Sequence, residues 1–288
     1  MHGYYTERET SDRYGYTDLA CERRRADLNL KGVEYKKEVT AGGTWERIKI
    51  TSLEGAAEIG RPMGIYDTYE LPRMDMLDSE ALSVAKDEIA NELAYIFNKS
   101  DIFPGRMLIA GLGNAALTPD SVGVESAKRT KPTLHISEFD KPYFTSLSCS
   151  EIAVCTPGVN ATSGIDASVT IKALCKELQP DAVIAVDALA SRSVERLGST
   201  VQICNTGICP GSGLGNARTR IDKESIGVPV ISIGVPTVID SRIFAPASIA
   251  TLDGYPAMFV APKEINEIVN AAAEIISGGI NQAFGLYI

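Results

Sequence analysis

Histidine is nearly missing from this chain of 288 residues, which holds only His2 and His135. The six cysteines, at 21, 149, 155, 175, 204 and 209, contain no C-x-x-C pair. Both scarcities argue against a zinc site of ordinary ligand spacing, and no metal or other cofactor is called for. They equally disfavour Ser-His-Asp and Cys-His catalysis, and no G-x-S-x-G elbow is present. No glycine loop runs into G-K-[ST], which excludes a P-loop. Basic residues are in the minority, 28 Lys and Arg against 37 Asp and Glu, for a net charge of -9. Phosphate neutralisation needs a basic face, so no direct nucleic-acid partner is expected. No apolar run reaches the roughly 18 residues of a bilayer span. The polar start MHGYYTERETSDRYGYTD lacks the apolar core of a signal peptide. A cytoplasmic protein with no membrane partner is the expectation.

The chain does have a large apolar fraction, 44%, with 23% charged residues, as globular proteins do. The cysteines sit in apolar runs such as Ile152 to Cys155 and Val201 to Cys204, where reduced, buried thiols are expected. Residues 1 to 18 carry almost no aliphatic side chains and read as a mobile extension. The alternation in Thr44 to Thr51, TWERIKIT, predicts a half-buried strand after a Gly42-Gly43 turn. Leu82, Ala85, Ile89, Leu93 and Ile96 recur at helical steps behind a cap at Asp78 or Ser79. From Arg106 onwards the apolar runs MLIAGL, EIAVCTPGV, AVIAVDALA, TVQICNTG and VPVISIGVPTVID alternate with helical segments such as Ile165 to Leu178. A last helix is expected from about Pro262 to Ile276. This pattern predicts an α/β fold: a twisted, mostly parallel sheet flanked by helices, one domain with an N-terminal elaboration.

Ligands of such sheets sit beyond the carboxyl ends of the strands, which directs attention to three stretches. GLGNAALTPDSVG, residues 111 to 123, is a weak dinucleotide fingerprint, with Ala116 where the third glycine belongs. Its glycines form either a turn or a ligand loop, and Asp120 at its end is either a helix cap or a site carboxylate. Asp187 follows the buried run Ala182 to Val186 and precedes ALASRSVERLG, a plausible helix, so it carries the same two readings. Two aspartates at strand ends of one sheet can converge. Like charges held close do not both ionise cheaply, so the pair keeps one acid and one base, which activates water against an amide. The third stretch, Asn205 to Asn216 with Arg218 and Arg220 behind it, is either an anion nest or a set of turns.

The segments TDLACE (17 to 22), GLGNAALTPDSVG (111 to 123), PGVNATSGID (157 to 166), VDALASRSVERLGSTVQICNTGICPGSGLGN (186 to 216) and IGVPVISIGVPTVID (226 to 240) together resemble the germination protease family. The resemblance implies an endopeptidase that degrades small acid-soluble spore proteins during germination, in the forespore and spore core. It implies a fold related to hydrogenase-maturation endopeptidases and catalysis by two aspartates, matched here by Asp120 and Asp187. It implies a self-processing zymogen, with residues 1–18 as propeptide, a cut between Asp18 and Leu19, and residues 19–288 as one α/β protease domain. It further implies a homotetramer. Cys209 stands where the family often has a histidine. Two alternatives differ in class: a nickel-directed endopeptidase of the hydrogenase-maturation kind, and a nucleotide-binding module without enzymatic activity.

Overall fold

A computed structural model describes residues 17–23, 30–211, 219–244 and 258–286. The expected mobile extension, apart from Thr17 and Asp18, and the second half of the 205 to 216 loop with Arg218 lie outside the described residues. One sheet runs through the structure in the order β1-β2-β3-β7-β8-β6-β4-β5, with β9 added against β8. Its strands are β1 (Val33–Val39), β2 (Thr44–Ile50), β3 (Gly64–Glu70), β4 (Arg106–Gly111), β5 (Glu151–Cys155), β6 (Ala182–Ser191), β7 (Thr200–Cys204), β8 (Val230–Asp240) and β9 (Phe259–Val260).

The half β8-β6-β4-β5 is parallel, as its continuous apolar runs predict: Ala182 to Val186 and Met107 to Ala110 are buried on both faces. The half β1-β2-β3-β7 is antiparallel and forms the N-terminal elaboration. β7 joins β8 antiparallel, unlike the other apolar runs after Arg106. The connection from β6 is short, only residues 192 to 199, whereas a parallel crossover needs a dozen or more residues. In β2 the alternation sends Ile48 and Ile50 into one apolar cluster and Trp45 to the other face, where it stacks on Tyr69 at 4.8 Å between ring centroids.

Nine helices are described: α1 (Leu53–Ile59), α2 (Ser79–Lys99), α3 (Val122–Arg129), α4 (Leu134–Phe139), α5 (Lys141–Leu147), α6 (Asn160–Ser163), α7 (Ala167–Leu178), α8 (Lys223–Ile226) and α9 (Ile265–Ala283). Asp78 is the cap of α2, accepting the Ala81 N–H at 2.9 Å, and Ala85, Ile89, Leu93 and Ile96 face the core. The last helix runs beyond Ile276, because Ile280 still lands in the core and Phe284 packs on Phe97 just past its end. Helices α2, α3 and α9 cover one face of the sheet and α7 the other, each over its own apolar cluster. All six cysteines are free thiols; Cys175 and Cys204 are buried and the others half-buried. Burial raises the thiol of Cys155 to about 12.

Candidate active site

The loop after β4 is built by close contacts that admit only glycine. A Cβ on Gly111 would stand 2.3 Å from the carbonyl of Gly123, and one on Gly123 would stand 2.1 Å from that of Val186. Helix α3 therefore rests directly on β4 and β6. Gly113 has φ +101°, in the left-handed region, and turns the chain back so that its own Cβ would strike the carbonyl of Asp120 at 1.9 Å. Asp120 closes the 3-10 turn Thr118–Asp120. Its Oδ2 and its carbonyl both accept the Asn114 N–H at 3.0 Å, and Thr237 Oγ1 on β8 holds the neighbouring Pro119 carbonyl at 2.7 Å. The residue preceding α3 is Ser121, so Asp120 is not that helix's cap. The N–H groups of Leu112, Asn114, Ala116 and Leu117 all bond within the protein, which leaves those four with no role as a phosphate cradle.

Asp187 lies within β6, in register with Gly234 of β8, and is 6% exposed. Its Oδ1 accepts the Ala188 N–H at 3.0 Å. The segment read as a plausible helix is strand as far as Ser191, followed by a 3-10 turn at Val194–Arg196. The extra strand length has a partner: residues 17 to 22 dock along it. Asp18 donates its N–H to the Ala190 carbonyl, and its carboxylate accepts the Ala190 N–H, each at 3.0 Å. Gln202 accepts the Ala20 N–H at 2.8 Å and donates to the Asp18 carbonyl at 3.1 Å. Arg61 and Arg23 both donate to the Thr17 carbonyl. Glu22 accepts from Ser191 Oγ at 2.5 Å and from the Arg192 N–H at 2.8 Å. Thr17, Leu19 and Ala20 are buried, and burial pushes the Cys21 thiol up to about 11.

These pieces meet in one cleft of about 430 Å³, lined by Asp18, Asp120, Asp187 and Asp166 among apolar groups such as Leu117, Val159 and Leu189. All three aspartates singled out in the sequence are brought to it. Leu19, the next residue after Asp18, is fully buried. Asp166 went unnoticed in the sequence; it caps α7 through the Ser168 N–H at 2.9 Å, and its signal was the PGVNATSGID motif that ends on it. Gln202 was also missed, since a glutamine inside an apolar run carries no chemical signature. His135 is exposed on α4 and does not line the cleft. Among the described residues no group of three His, Cys, Asp or Glu side chains is placed to hold a metal ion. No described helix is long and apolar enough to cross a membrane.

The family model described as germination protease matches residues 16–253. The chain belongs to the germination protease family. A germination protease of Clostridium perfringens is 32% identical over 312 aligned positions, covering 93% of this chain and 94% of its own length. That of Caldanaerobacter subterraneus is 38% identical, over 80% of this chain and 70% of its own. That of Bacillus subtilis is 38% identical, over 80% and 64%. Among solved structures, a [NiFe] hydrogenase maturation protease, HycI from Thermococcus kodakarensis, aligns with 62% of this chain at 20% identity and a TM-score of 0.36. Family membership makes the chain a peptidase of spore germination with protein substrates.

Proposed function

We propose that this germination protease cuts itself between Asp18 and Leu19 and degrades small acid-soluble spore proteins, with Asp120 and Asp187 as its working carboxylates. Residues 1–18 are then a propeptide and 19–288 the protease unit, assembled as a homotetramer in the spore core. The observation that carries this reading is that Asp18 lines the same cleft as Asp120 and Asp187. One carboxylate takes a proton from water as the water oxygen bonds to the carbonyl carbon of residue 18, and the carbonyl π pair moves onto its oxygen. When that oxyanion collapses the C–N bond breaks, and the Leu19 nitrogen takes a proton from the other group in its acid form. One proton is accepted and one given, so the pair ends with the charge it began with. The apolar lining supports both steps, because a drier cleft strengthens the interactions of the carboxylates.

The test is incubation of the purified full chain, alone and with a small acid-soluble spore protein, with new N termini identified by mass spectrometry. Wild type is expected to begin at Leu19 and to cut its substrate after acidic residues. Asp120→Asn and Asp187→Asn are each expected to lose ~10²–10⁴-fold in rate, the range of general acid and base contributions. Variants that cut at the wild-type rate would return both aspartates to a structural role.

A further inference from the structure

Across the sheet, Asp187 on β6 and Gln202 on β7 are both in register with one residue of the strand between them, Gly234 on β8. Residues in one such row point to one face, so the two side chains stand on the same side of the sheet, two strand spacings or about 10 Å apart at the backbone. Gly234 contributes no side chain between them. Above the row lies Leu19, and Gln202 bonds both peptides that flank it: Nε2 donates to the carbonyl of the Asp18–Leu19 peptide at 3.1 Å and Oε1 accepts the N–H of the Leu19–Ala20 peptide at 2.8 Å. Gln202 is only 7% exposed, and its neighbours Asn205 and Ser232 bond elsewhere. A buried primary amide bonded to the carbonyl of one peptide and the N–H of the next fixes the register of the segment around Leu19, while Thr17 Oγ1 accepts the Leu19 N–H of the same Asp18–Leu19 bond at 3.0 Å.

We propose that Gln202 is the residue that sets the scissile bond against the carboxylates and stabilises the oxyanion formed on it, in self-processing and in substrates bound along the same strand. The proposal rests on Asp18–Leu19 being the bond cut. When water adds to the Asp18 carbonyl, its oxygen gains a full negative charge and the bond from Nε2 strengthens, an interaction larger in the transition state than in the ground state. The Ala20 N–H keeps its acceptor throughout.

The experiment compares wild type, Gln202→Ala, Gln202→Glu and Asp187→Asn as full chains, following release of the Leu19 N terminus and steady-state cleavage of a small acid-soluble spore protein. Gln202→Ala is expected to lose ~10²–10³-fold in kcat, as loss of one oxyanion donor does, with KM changed far less. Gln202→Glu separates chemistry from packing. Ionised, it sets a carboxylate against the carbonyl; protonated, its O–H donates to Asp18 and its C=O accepts from Ala20, as the amide does. Its activity relative to wild type is therefore expected to recover as pH falls. Taking the ratio to wild type cancels titration of Asp18, Arg61, Tyr66, Cys204, Cys209 and Arg220, which line the small cavity around position 202. If the alanine variant fails to fold, the glutamate variant still decides: a pH profile that superimposes on wild type overturns the proposal. So does a folded alanine variant with wild-type kcat. If Asp187→Asn also cuts at the wild-type rate, it is the carboxylate pair that fails, and the two failures stay distinct.

Discussion

A single glycine decides where Asp120 stands. Gly113 combines a left-handed φ of +101° with a Cβ position 1.9 Å from the Asp120 carbonyl and 3.3 Å from its Oδ1. Gly113→Ala must therefore move the loop that carries the carboxylate. Gly227, the C-cap of α8, has nearly the same φ, +97°, with nothing within 4 Å of a Cβ, so Gly227→Ala measures backbone strain alone. Both variants are expected to lose ~1–3 kcal/mol of stability, the usual cost of a strained backbone position, while only Gly113→Ala loses activity beyond its stability loss. Thermal melts paired with peptidase rates check this, and equal activity in the two variants would detach the loop from the chemistry. The sequence showed Asp120 and Asp187 as candidates and left each open as a cap. What it hid was tertiary: the Asp120 carboxylate accepts the Asn114 N–H inside the loop rather than a helix N–H, and strand β6 continues past Asp187 against β8 while residues 17 to 22 dock along it.

Helix packing makes a second contrast, between neighbouring glycines on α9. A Cβ on Gly279 would fall 2.6 Å from Ile89 Cγ2 and 3.1 Å from the Lys86 carbonyl, both fixed by α2. A Cβ on Gly278 would meet only the side chain of Lys86, Cδ at 2.7 Å, which can shift at the cost of its surface pair with Glu274. Replacing helical Gly by Ala gains ~1 kcal/mol in propensity, while forcing a methyl into a filled core costs ~1–3 kcal/mol. Gly279→Ala is thus expected to destabilise by up to ~2 kcal/mol and Gly278→Ala to be neutral or stabilising, read by urea denaturation. The periodicity of α2 was legible because Ala85, Ile89, Leu93 and Ile96 repeat at helical steps. The close approach of α9 was not, since Gly278-Gly279 reads as a helix end until the partner helix is in place, and this is why the expected boundary near Ile276 fell short of Ala283.

At the scale of the molecule, the antiparallel half of the sheet carries a buried charge cluster. Arg47 on β2 donates to Asp67 on β3 at 2.7 Å and to Glu92 on α2 at 2.6 Å, tying the N-terminal elaboration to a core helix. Two carboxylates share one guanidinium. Burial, then the hydrogen bond and charge of Glu92, raise Asp67 from 3.8 to about 9, and Arg47 only partly opposes them. A folded-state value above the unfolded one means that the native protein holds a proton the unfolded chain releases. The stability from this group is full below about 3.8 and is lost as pH rises towards about 9, with a slope on the order of 1 kcal/mol per pH unit at most. Asp67→Asn keeps a neutral group of the same shape, so it is expected to match wild type below about pH 3.8 and to exceed it increasingly from there towards pH 8.5. Trp45, the only tryptophan, is 7% exposed and stacked on Tyr69 in the same half of the sheet, and its fluorescence in urea reports the transition. Were Asp67 ionised at neutral pH, the variant would instead break a buried ion pair and lose ~3–5 kcal/mol there, a result of opposite sign.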